Sequence, residues 1–390
     1  PELTYQLVEQ DGKRYYVAKE AGKQALKGEF TVVRELQGAE LVGKTYTGPF
    51  DELPAQQGVT HKVIAWDDVT ADEGTGLVHT APGAGKEDFA LSEPNDLAVI
   101  APIDEFGHYV ADYGWLSDEY VHDVATPIEK NLREKGLLYR SHQYTHRYPV
   151  CWRCGTDLVF RLVDEWFIAI DGIRERLKEV TREINWYPSF GQERELDWLT
   201  NMDDWMISKK RYWGLALPIW VCDDCGHFDV VGSENELHDR AVEGWDEFEG
   251  NTPHRPYIDH VKIACSECGG VASRIPDVGN PWLDAGIVAL STLDYRHDRE
   301  YWRKWYPADM ISESFPGQFR NWFYALLTES TIVTDEKPTR NIYTYALMRD
   351  ENGEEMHKSK GNAIWFDDAA EEIGVDVMRW LFATVTPSSN

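Results

Sequence analysis

Hydrophobic and polar positions divide the chain into a β-rich first third and a remainder in which strands and helices alternate. Short stretches of alternating apolar residues, separated by glycine and proline, predict strands in the first third. A continuous apolar run of the kind found in buried strands follows them. The predicted strands cover residues 13–20, 30–36, 61–69 and 97–104. This β-rich part is expected to form a separate inserted or appended domain.

Helical periodicity begins near the end of that first third. Residues 126–138 predict a helix with Thr126 as its N-cap and Pro127 in the first turn. Residues 172–184 predict an amphipathic helix. These two segments therefore mark the change from strands and turns to helical structure.

Strand and helix patterns alternate over residues 201–380, which favours a parallel α/β sheet. The clearest unit is a strand, a turn and a helix over residues 309–330. The last helix, over residues 367–385, has Asp367 or Asp368 as its predicted N-cap.

The amino-acid composition indicates a globular protein, and the first residues indicate the compartment in which it is expected. The chain has 390 residues, of which 42% are hydrophobic and 27% charged, so it can form a core and is unlike a disordered chain. It contains no apolar run of about 18 residues, so no membrane span is expected. The first residues lack the basic start and apolar stretch of a secretory signal, and a cytoplasmic location is expected.

The net charge weighs against one class of function. The chain carries 39 basic and 68 acidic residues, a formal charge of −29. Proteins that bind nucleic acid over a broad surface are usually basic, because neutralising phosphates supplies much of the affinity. A local basic groove remains compatible with this charge.

All six cysteines fall into CxxC pairs, which is the spacing of thiolate zinc sites rather than of a disulfide framework. Two pairs bounding residues 221–275 predict a closed, structural four-thiolate zinc ribbon. The third pair is half a site, and its partners are His142 and His146 or a CxxC outside this chain. The pairs are Cys222 with Cys225, Cys265 with Cys268, and Cys151 with Cys154.

A glycine-rich segment at residues 74–89, GTGLVHTAPGAGKEDF, brings backbone close to a candidate ligand. It is not a phosphate-binding P-loop, because Thr80 and Glu87 occupy the positions that require glycine and Ser/Thr. His79 and Asp88 are the polar side chains nearby, and taken alone a single histidine and a single aspartate are more often structural than ligand-binding.

Two further segments combine basic groups with loop or aromatic character. Residues 355–362, EMHKSKGN, place Lys358 and Lys360 on a polar loop, which suits a developing phosphate charge. Residues 204–214, DWMISKKRYWG, interleave basic and aromatic side chains that could hold a nucleotide or RNA backbone. A solvated loop and a buried core are the alternative interpretations.

Taken together, these motifs resemble the class I aminoacyl-tRNA synthetases, and specifically their isoleucyl branch. EMHKSKGN is similar to the family's KMSKS loop, and DWMISKKRYWGLALPIW to its DWxISRxRYWGxPIPIW segment. SESFPGQFRNWFYALL resembles the stretch EGxDQxRGWFYxLL. GTGLVHTAPGAGKEDF resembles the segment GTGIVHTAPGxGxEDF of the editing domain, and YPVCWRCGTDL the strand that returns from it. The five motifs occur in the family's order across nearly the whole chain.

The resemblance implies a fold: the second half of a Rossmann-type parallel-sheet catalytic domain, with a β-rich editing domain and a zinc-ribbon insert. The implied domains are an incomplete editing (connective-peptide) domain, a return segment with the half zinc site, the second half of the catalytic domain, the ribbon, and the start of a helical domain. Their expected ranges are, in that order, 1–140, 141–200, 201–220 with 276–370, 221–275, and 371–390.

The resemblance also implies residue roles. Lys358 and Lys360 stabilise the ATP phosphates while isoleucine is activated, with Mg²⁺ accompanying ATP. In the editing pocket, Asp88 binds the α-amino group of a mischarged valyl end and His79 lies beside it. Such editing exists because one methylene separates isoleucine from valine by only about 1–3 kcal/mol. The implied partners are isoleucine, ATP and the acceptor end of tRNA(Ile), and the residues implied to lie at the adenylate are Gln318, Trp322, Trp205 and Arg211.

Several positions depart from the family pattern. Glu355 replaces the first lysine of the loop, His357 the first serine, and Gly317 the aspartate before the family's glutamine. No HxGH tetrapeptide occurs in the sequence. The chain is therefore expected to be an internal segment of a longer synthetase, lacking N-terminal and C-terminal parts of the parent, and to catalyse no aminoacylation by itself.

Other functions remain open at this point. One is a valyl-type synthetase segment, although the VHTAPG wording favours the isoleucyl branch. Another is a free-standing editing deacylase formed by residues 1–150, and a third is a non-catalytic zinc-ribbon module that binds tRNA. The charge of −29 argues against the third.

Overall fold

The computed structural model describes residues 1–72, 74–151, 154–315 and 317–385. The chain forms two compact units, residues 1–164 and 165–390, and each is described by itself. No helix within these described ranges is both long and apolar enough to span a membrane.

The first unit is rich in short elements joined by turns. Its strands are β1 Thr4–Gln10, β2 Lys13–Ala18, β3 Thr31–Gln37, β4 Thr45–Tyr46 and β5 His61–Lys62. Its helices are α1 Gly22–Ala25, α2 Lys86–Asn95 and α3 Ala125–Glu134, with 3₁₀ turns at Gly38–Glu40, Pro54–Gln56 and Gly114–Leu116.

An antiparallel sheet of three strands, in the order β2–β1–β3, holds the main core of this unit. Alternation along β1 buries Val8, while Val17 and Ala18 at the end of β2 are fully buried beside it. A bulge between Leu7 and Val8 shifts the register of β1 against β3. The predicted strands at 13–20 and 30–36 are confirmed.

Three local predictions in this unit are wrong. The segment 61–69 is a strand only at β5, and 97–104 forms no strand beyond an isolated bridge at Ile103. Within that segment, Ile100 packs with Leu116 of a 3₁₀ turn and Ile128 of α3 instead of with a neighbouring strand, and the apolar run alone could not reveal this. Helix α3 begins one residue before Thr126, and its N-cap is Val124.

The second unit contains the longer helices. Its strands are β6 Phe167–Ile168, β7 Asn185–Tyr187, β8 Trp205–Met206, β9 Ser208–Lys209, β10 Ile219–Cys222, β11 Phe228–Val230, β12 Ala241–Glu243, β13 Lys262–Ala264, β14 Val271–Arg274, β15 Val278–Gly279, β16 Ile311–Ser314 and β17 Asn341–Tyr345. Its helices are α4 Arg174–Arg182, α5 Phe190–Asn201, α6 Glu234–Arg240, α7 Trp245–Phe248, α8 Pro281–Gly286, α9 Val288–Ser291, α10 Arg299–Trp305, α11 Trp322–Thr334, α12 Phe366–Ile373 and α13 Val375–Thr384. Short 3₁₀ turns lie at Tyr257–His260, Gly317–Arg320 and Lys358–Lys360.

A parallel sheet in the order β16–β17–β7 confirms the α/β expectation for this unit. The connection from β16 to β17 passes through α11, as a parallel crossover requires. Ile342 of β17 packs with Phe323 and Leu327 of α11. Tyr343 and Tyr345 project from the opposite, exposed face of β17.

The cysteine-bounded insert has more structure than its acidic sequence indicates. It forms a five-stranded antiparallel sheet in the order β11–β10–β14–β13–β12. Trp220 is fully buried in its core, and the indole nitrogen donates to the carbonyl of Val261 at 2.8 Å.

The final helical segment is split in two. Gly374 separates α12 from α13, and the N-cap of α12 is Trp365. The prediction that Asp367 or Asp368 caps the helix is therefore wrong. Both carboxylates lie in the first turn, where their negative charge interacts favourably with the positive end of the helix dipole.

Helix α11 carries an unusual buried acid. Gly286 of α8 lies against α11 so closely that a Cβ there would sit 2.7 Å from Glu329 Oε1 and 2.9 Å from the backbone of Ala325. Glu329 Oε1 has no hydrogen-bond partner among the described residues. Burial, followed by the nearby charge of Asp284, raises the pKa of Glu329 to about 8. The carboxyl is therefore neutral in the folded unit at mildly acidic pH.

Glu329→Gln is expected to reduce the loss of stability between pH 5 and pH 8. The folded-state pKa lies above the ordinary value of 4.5, so wild-type stability is fully present below 4.5 and is lost as pH rises towards 8. The free energy of unfolding of the variant minus that of the wild type should be larger at pH 8 than at pH 5, by on the order of 1–4 kcal/mol. Denaturant unfolding at both pH values measures it. Glu193→Gln, at an exposed position of α5, is the control, and equal pH dependence of all three proteins would contradict the prediction.

Candidate functional site

A cavity of about 750 Å³ lies within the first unit. The glycine-rich segment forms one wall, from Gly76 to Ala84. Apolar side chains such as Leu53, Ile100 and Leu116 form much of the rest. A mostly apolar cavity with a few polar groups is the common form of a small-ligand site.

Close backbone packing shapes the glycine-rich wall. A Cβ on Gly83 would overlap the carbonyl oxygen of Ile100, so only glycine permits this approach. Tyr5 Oη donates to the carbonyl of Gly76 at 2.5 Å, which ties the segment to strand β1. The glycines therefore bring main chain to the cavity.

The two predicted editing residues have different positions. His79 is exposed and lines the cavity. Asp88, in the first turn of α2, is half-buried and is not among the lining residues. Its Oδ2 accepts a hydrogen bond from the backbone N–H of Ala81 at 2.9 Å. Asp88 therefore holds the wall in place and presents its second carboxylate oxygen without a described hydrogen bond.

The cavity also contains polar groups that the sequence analysis missed. His61 Nε2 lies 2.8 Å from Asp51 Oδ1, and His61 lines the cavity. Tyr113 and Gln56 line it as well, and the hydroxyl of Tyr113 and the side-chain oxygen of Gln56 are buried without a hydrogen-bond partner in the described chain. No sequence signal singles these residues out, because they are ordinary polar residues within loop-forming segments.

Four cysteines of the insert converge in the second unit. The sulfurs of Cys222, Cys225, Cys265 and Cys268 all lie within 4.8 Å of one another. The Cys222–Cys268 and Cys225–Cys265 separations are 3.5 and 3.8 Å. A tetrahedral zinc ion with bonds of about 2.3 Å requires sulfurs about 3.8 Å apart. The donor set and its geometry therefore fit zinc.

The three CxxC turns share one backbone pattern. In each, the first cysteine N–H donates to the carbonyl five residues on, and the glycine N–H four residues on donates back to that cysteine. Each glycine, Gly155, Gly226 or Gly269, has φ near +73°. The Cys151 turn thus has the form of a zinc knuckle. Neither His142 nor His146 joins it as a ligand group within the described residues.

The EMHKSKGN loop is closed by hydrogen bonds from Asn362. Its Nδ2 donates to Asp350 Oδ2 at 2.7 Å and to the carbonyl of Glu355 at 3.2 Å, and its Oδ1 accepts from the N–H of His357 at 2.8 Å. The bond from Asn362 is also the main cause that lowers the pKa of Asp350. The side chain of Asn362, at the end of the loop, therefore binds the residues at its start and links them to Asp350.

The loop's basic groups remain accessible within this frame. Lys358 is exposed, and its Nζ lies 4.7 Å from the ring centre of Trp365. Lys360 is exposed too. His357 Nε2 lies 3.6 Å from Glu355 Oε2, so the two residues that depart from the family pattern pair with each other.

Three of the four residues predicted to lie at the adenylate make contacts within the protein, and the fourth is exposed. Gln318 Oε1 accepts from the N–H of Trp322 at 3.2 Å, and the indole of Trp322 donates to the carbonyl of Ala285 at 2.9 Å. Trp205 is buried, with its ring 5.2 Å from that of Tyr324. Arg211 is exposed. The structure thus brings Gln318 and Trp322 together at the start of α11 and places Trp205 in the core.

A family model described as tRNA synthetases class I (I, L, M and V) matches residues 103–390. The chain belongs to the class I tRNA synthetases. Curated relatives agree with this family. An isoleucine–tRNA ligase of Methanothermobacter thermautotrophicus is 40% identical over 97% of this chain, and one of Saccharolobus solfataricus is 35% identical over 98%. This synthetase chain spans 36% and 39% of those proteins.

Solved structures are more distantly similar. Methionyl-tRNA synthetase of Mycobacterium tuberculosis, bound by methionyl-adenylate, has a TM-score of 0.39 and 15% identity, covering 63% of this synthetase chain and 38% of that one. A leucyl-tRNA synthetase from Agrobacterium radiobacter, in a ternary complex, has a TM-score of 0.34 and 22% identity, covering 48% and 26%.

Asn362→Ala is expected to open the EMHKSKGN loop of this synthetase chain. Losing three hydrogen bonds, each with a net contribution of about 0.5–1.5 kcal/mol, should raise trypsin cleavage after Lys358 and Lys360 by about 10-fold or more. Limited proteolysis followed by mass spectrometry measures the two rates. Asn352→Ala is the matched control, because Asn352 lies in the adjoining turn and its side chain makes no described hydrogen bond. Equal cleavage of the two variants would refute the role of Asn362.

Proposed function

We propose that this chain is a segment of an isoleucyl-tRNA synthetase, which activates isoleucine with ATP and transfers it to tRNA(Ile). The alignment of 97% of the chain with an isoleucine–tRNA ligase at 40% identity is the observation that carries the proposal. Eight curated relatives that are 35–40% identical to this chain are all isoleucine–tRNA ligases, which favours isoleucine over valine. The cytoplasm, where translation takes place, is its proposed location.

In the proposed reaction, the isoleucine carboxylate attacks the α-phosphorus of ATP and pyrophosphate leaves. Negative charge builds up on the phosphates, and Mg²⁺ accompanies ATP. The exposed ammonium groups of Lys358 and Lys360 stabilise that charge. Glu355 would oppose them, but His357 lies against it and limits its approach to the phosphates. Gln318, Trp322 and Arg211 are the proposed adenylate-binding side chains, and the buried Trp205 supports them through the core.

The first unit is proposed to remove mischarged valine. Its cavity is large enough for an aminoacyl ester at the end of a tRNA, and the glycine-rich wall supports such a site because it presents main chain and His79. Asp88 supplies the proposed contact to the α-amino group.

On this proposal residues 1–140 are the editing part, 141–200 the return segment, and 201–220 with 276–370 the catalytic part. The ribbon, 221–275, and the start of a helical domain, 371–390, complete it.

Lys358→Ala is expected to lower isoleucine-dependent ATP–pyrophosphate exchange by about 100-fold in the longer protein that contains this chain. The reason is the loss of one preorganised cation at the developing phosphate charge. The isotope-exchange rate measures it, and the 390-residue chain by itself should show no exchange. Lys304→Ala, at an exposed position of α10, is the matched control. An unchanged rate in Lys358→Ala would exclude the proposed role, and exchange that needs another amino acid would exclude the proposed substrate.

We also propose that the four-cysteine cluster holds one structural zinc ion. Zinc supplies the bonds that join the two knuckles, while the sheet of the insert buries Cys222 and Cys265. Cys151 and Cys154 are proposed as half of a second site.

Metal analysis of the purified chain is expected to give one zinc per chain. Cys265→Ser should release that zinc and lower the unfolding temperature, because a structural metal contributes to folding directly. Cys154→Ser should retain the zinc and the unfolding temperature, and it is the matched control. Loss of zinc in Cys154→Ser with retention in Cys265→Ser would reverse the assignment.

A further inference from the structure

His61 lines the cavity of the first unit, and it pairs with Asp51, which is not itself among the lining residues. Asp51 Oδ1 faces His61 Nε2 at 2.8 Å, and Asp51 Oδ2 accepts from the N–H of Gly48 at 2.9 Å. Both carboxylate oxygens are thus engaged, and the aspartate is held in one orientation. An ionised aspartate at Nε2 favours the imidazole tautomer with its proton on Nε2, which leaves Nδ1 as a proton acceptor.

The backbone is built closely around this pair. Strands β4 and β5 align Tyr46 with His61, and their rings stack at 5.5 Å with an interplanar angle of 28°. A Cβ on Gly48 would lie 2.8 Å from His61 Nε2 and would overlap Asp51 Oδ1. Glycine at position 48 therefore lets the main chain cover the pair and fix the imidazole between Tyr46 and Asp51.

The charged side chains that line the cavity are basic, which suits the phosphate backbone of a tRNA end. Among its described lining residues, the cavity has two lysines, Lys44 and Lys62, and no aspartate or glutamate. Tyr46 is the cross-strand partner of His61, Lys62 is the next residue of β5, and Asp51 is bonded to the His61 ring.

Two residues that line the same cavity carry buried polar atoms without a partner. Tyr113 is 7% exposed, and its hydroxyl has no hydrogen-bond partner in the described chain. Gln56 has a buried side-chain oxygen that also lacks one there. Leaving such groups unpaired costs about 1–3 kcal/mol each.

We propose that His61 is the general base for ester hydrolysis in this cavity and that Asp51 is its positioning residue. The proposal rests on the editing function proposed above. His61 Nδ1 takes a proton from water while the water oxygen bonds to the ester carbonyl carbon. The bond between that carbon and the ribose oxygen then breaks, and the proton passes from His61 to the departing ribose oxygen. The products are free valine and a tRNA with an intact terminal hydroxyl.

Two measurements test the proposal separately from the function beneath it. The first is binding of the 390-residue chain to a terminal adenosine that carries valine through a non-hydrolysable amide, by calorimetry. The second is the rate of valyl-tRNA hydrolysis by the longer protein that contains the chain. The variants are His61→Gln, His61→Ala, Asp51→Asn and Asp88→Asn. His297→Gln is the matched control, because His297 forms an exposed pair with Asp294 at 2.7 Å in the second unit.

His61→Gln is expected to keep the affinity for the amide within about 2-fold and to lower kcat by about 10²–10⁴-fold. Asp51→Asn should lower kcat by a smaller factor at unchanged affinity. Imidazole added to the buffer should restore part of the activity of His61→Ala, which a purely structural role would not allow. Asp88→Asn keeps an acceptor for Ala81 but loses its charge, and it should weaken binding by about 10-fold or more.

The other outcomes have distinct meanings. If the wild-type chain does not bind the amide, or the longer protein does not hydrolyse valyl-tRNA, the proposed editing function is wrong. If both activities are present and His61→Gln retains its hydrolysis rate, only the role of His61 is wrong. Loss of amide binding in His61→Gln, or no rescue by imidazole, would make His61 a binding or structural residue and overturn the proposal.

Discussion

The packing of helix α11 is the constraint on which the second unit depends. Its residues from Phe323 to Thr331 are all buried, which is typical of a helix covered on every side. One side meets the parallel sheet through Phe323 and Leu327, and another meets α4 and α5 through Tyr324 and Ala325. The missing side chain of Gly286 lets α8 approach the same helix. The parallel sheet, the pair α4 and α5, and α8 all pack against this one helix. The residues that immediately precede α11 are therefore held in fixed positions relative to one another.

This arrangement separates a rigid part of the proposed catalytic site from a movable part. Gln318 and Trp322 lie at the start of α11, and Trp205 packs against Tyr324 in the core, so their positions follow from buried packing. The EMHKSKGN loop is exposed and held mainly by the hydrogen bonds of Asn362. A side-chain amide on the surface can release a loop at much lower cost than a core can shift. The amino-acid side of such a site can therefore stay fixed while the phosphate side adapts.

Charge is distributed unevenly in the first unit as well. The whole chain has a formal charge of −29, yet no described aspartate or glutamate lines the cavity, where lysine, histidine and tyrosine are the titratable side chains. The net charge thus describes the outer surface and gives no guide to the site.

The sequence by itself determined the features that depend on near neighbours. The spacing of Cys222 and Cys225, with Gly226 after them, predicts a knuckle because all its hydrogen bonds lie within six residues. Ordered motifs indicated the synthetase family, alternation predicted β2 and β3, and the strand–turn–helix pattern over residues 309–330 predicted β16 and α11. Tertiary structure decided which distant segments meet. The contact of Gly83 with Ile100, the pairing of His61 with Asp51 and the buried state of Trp205 follow from how loops pack. No local pattern encodes these contacts, since the free energy of burial depends on the partner a side chain finds, and that partner lies elsewhere in the chain.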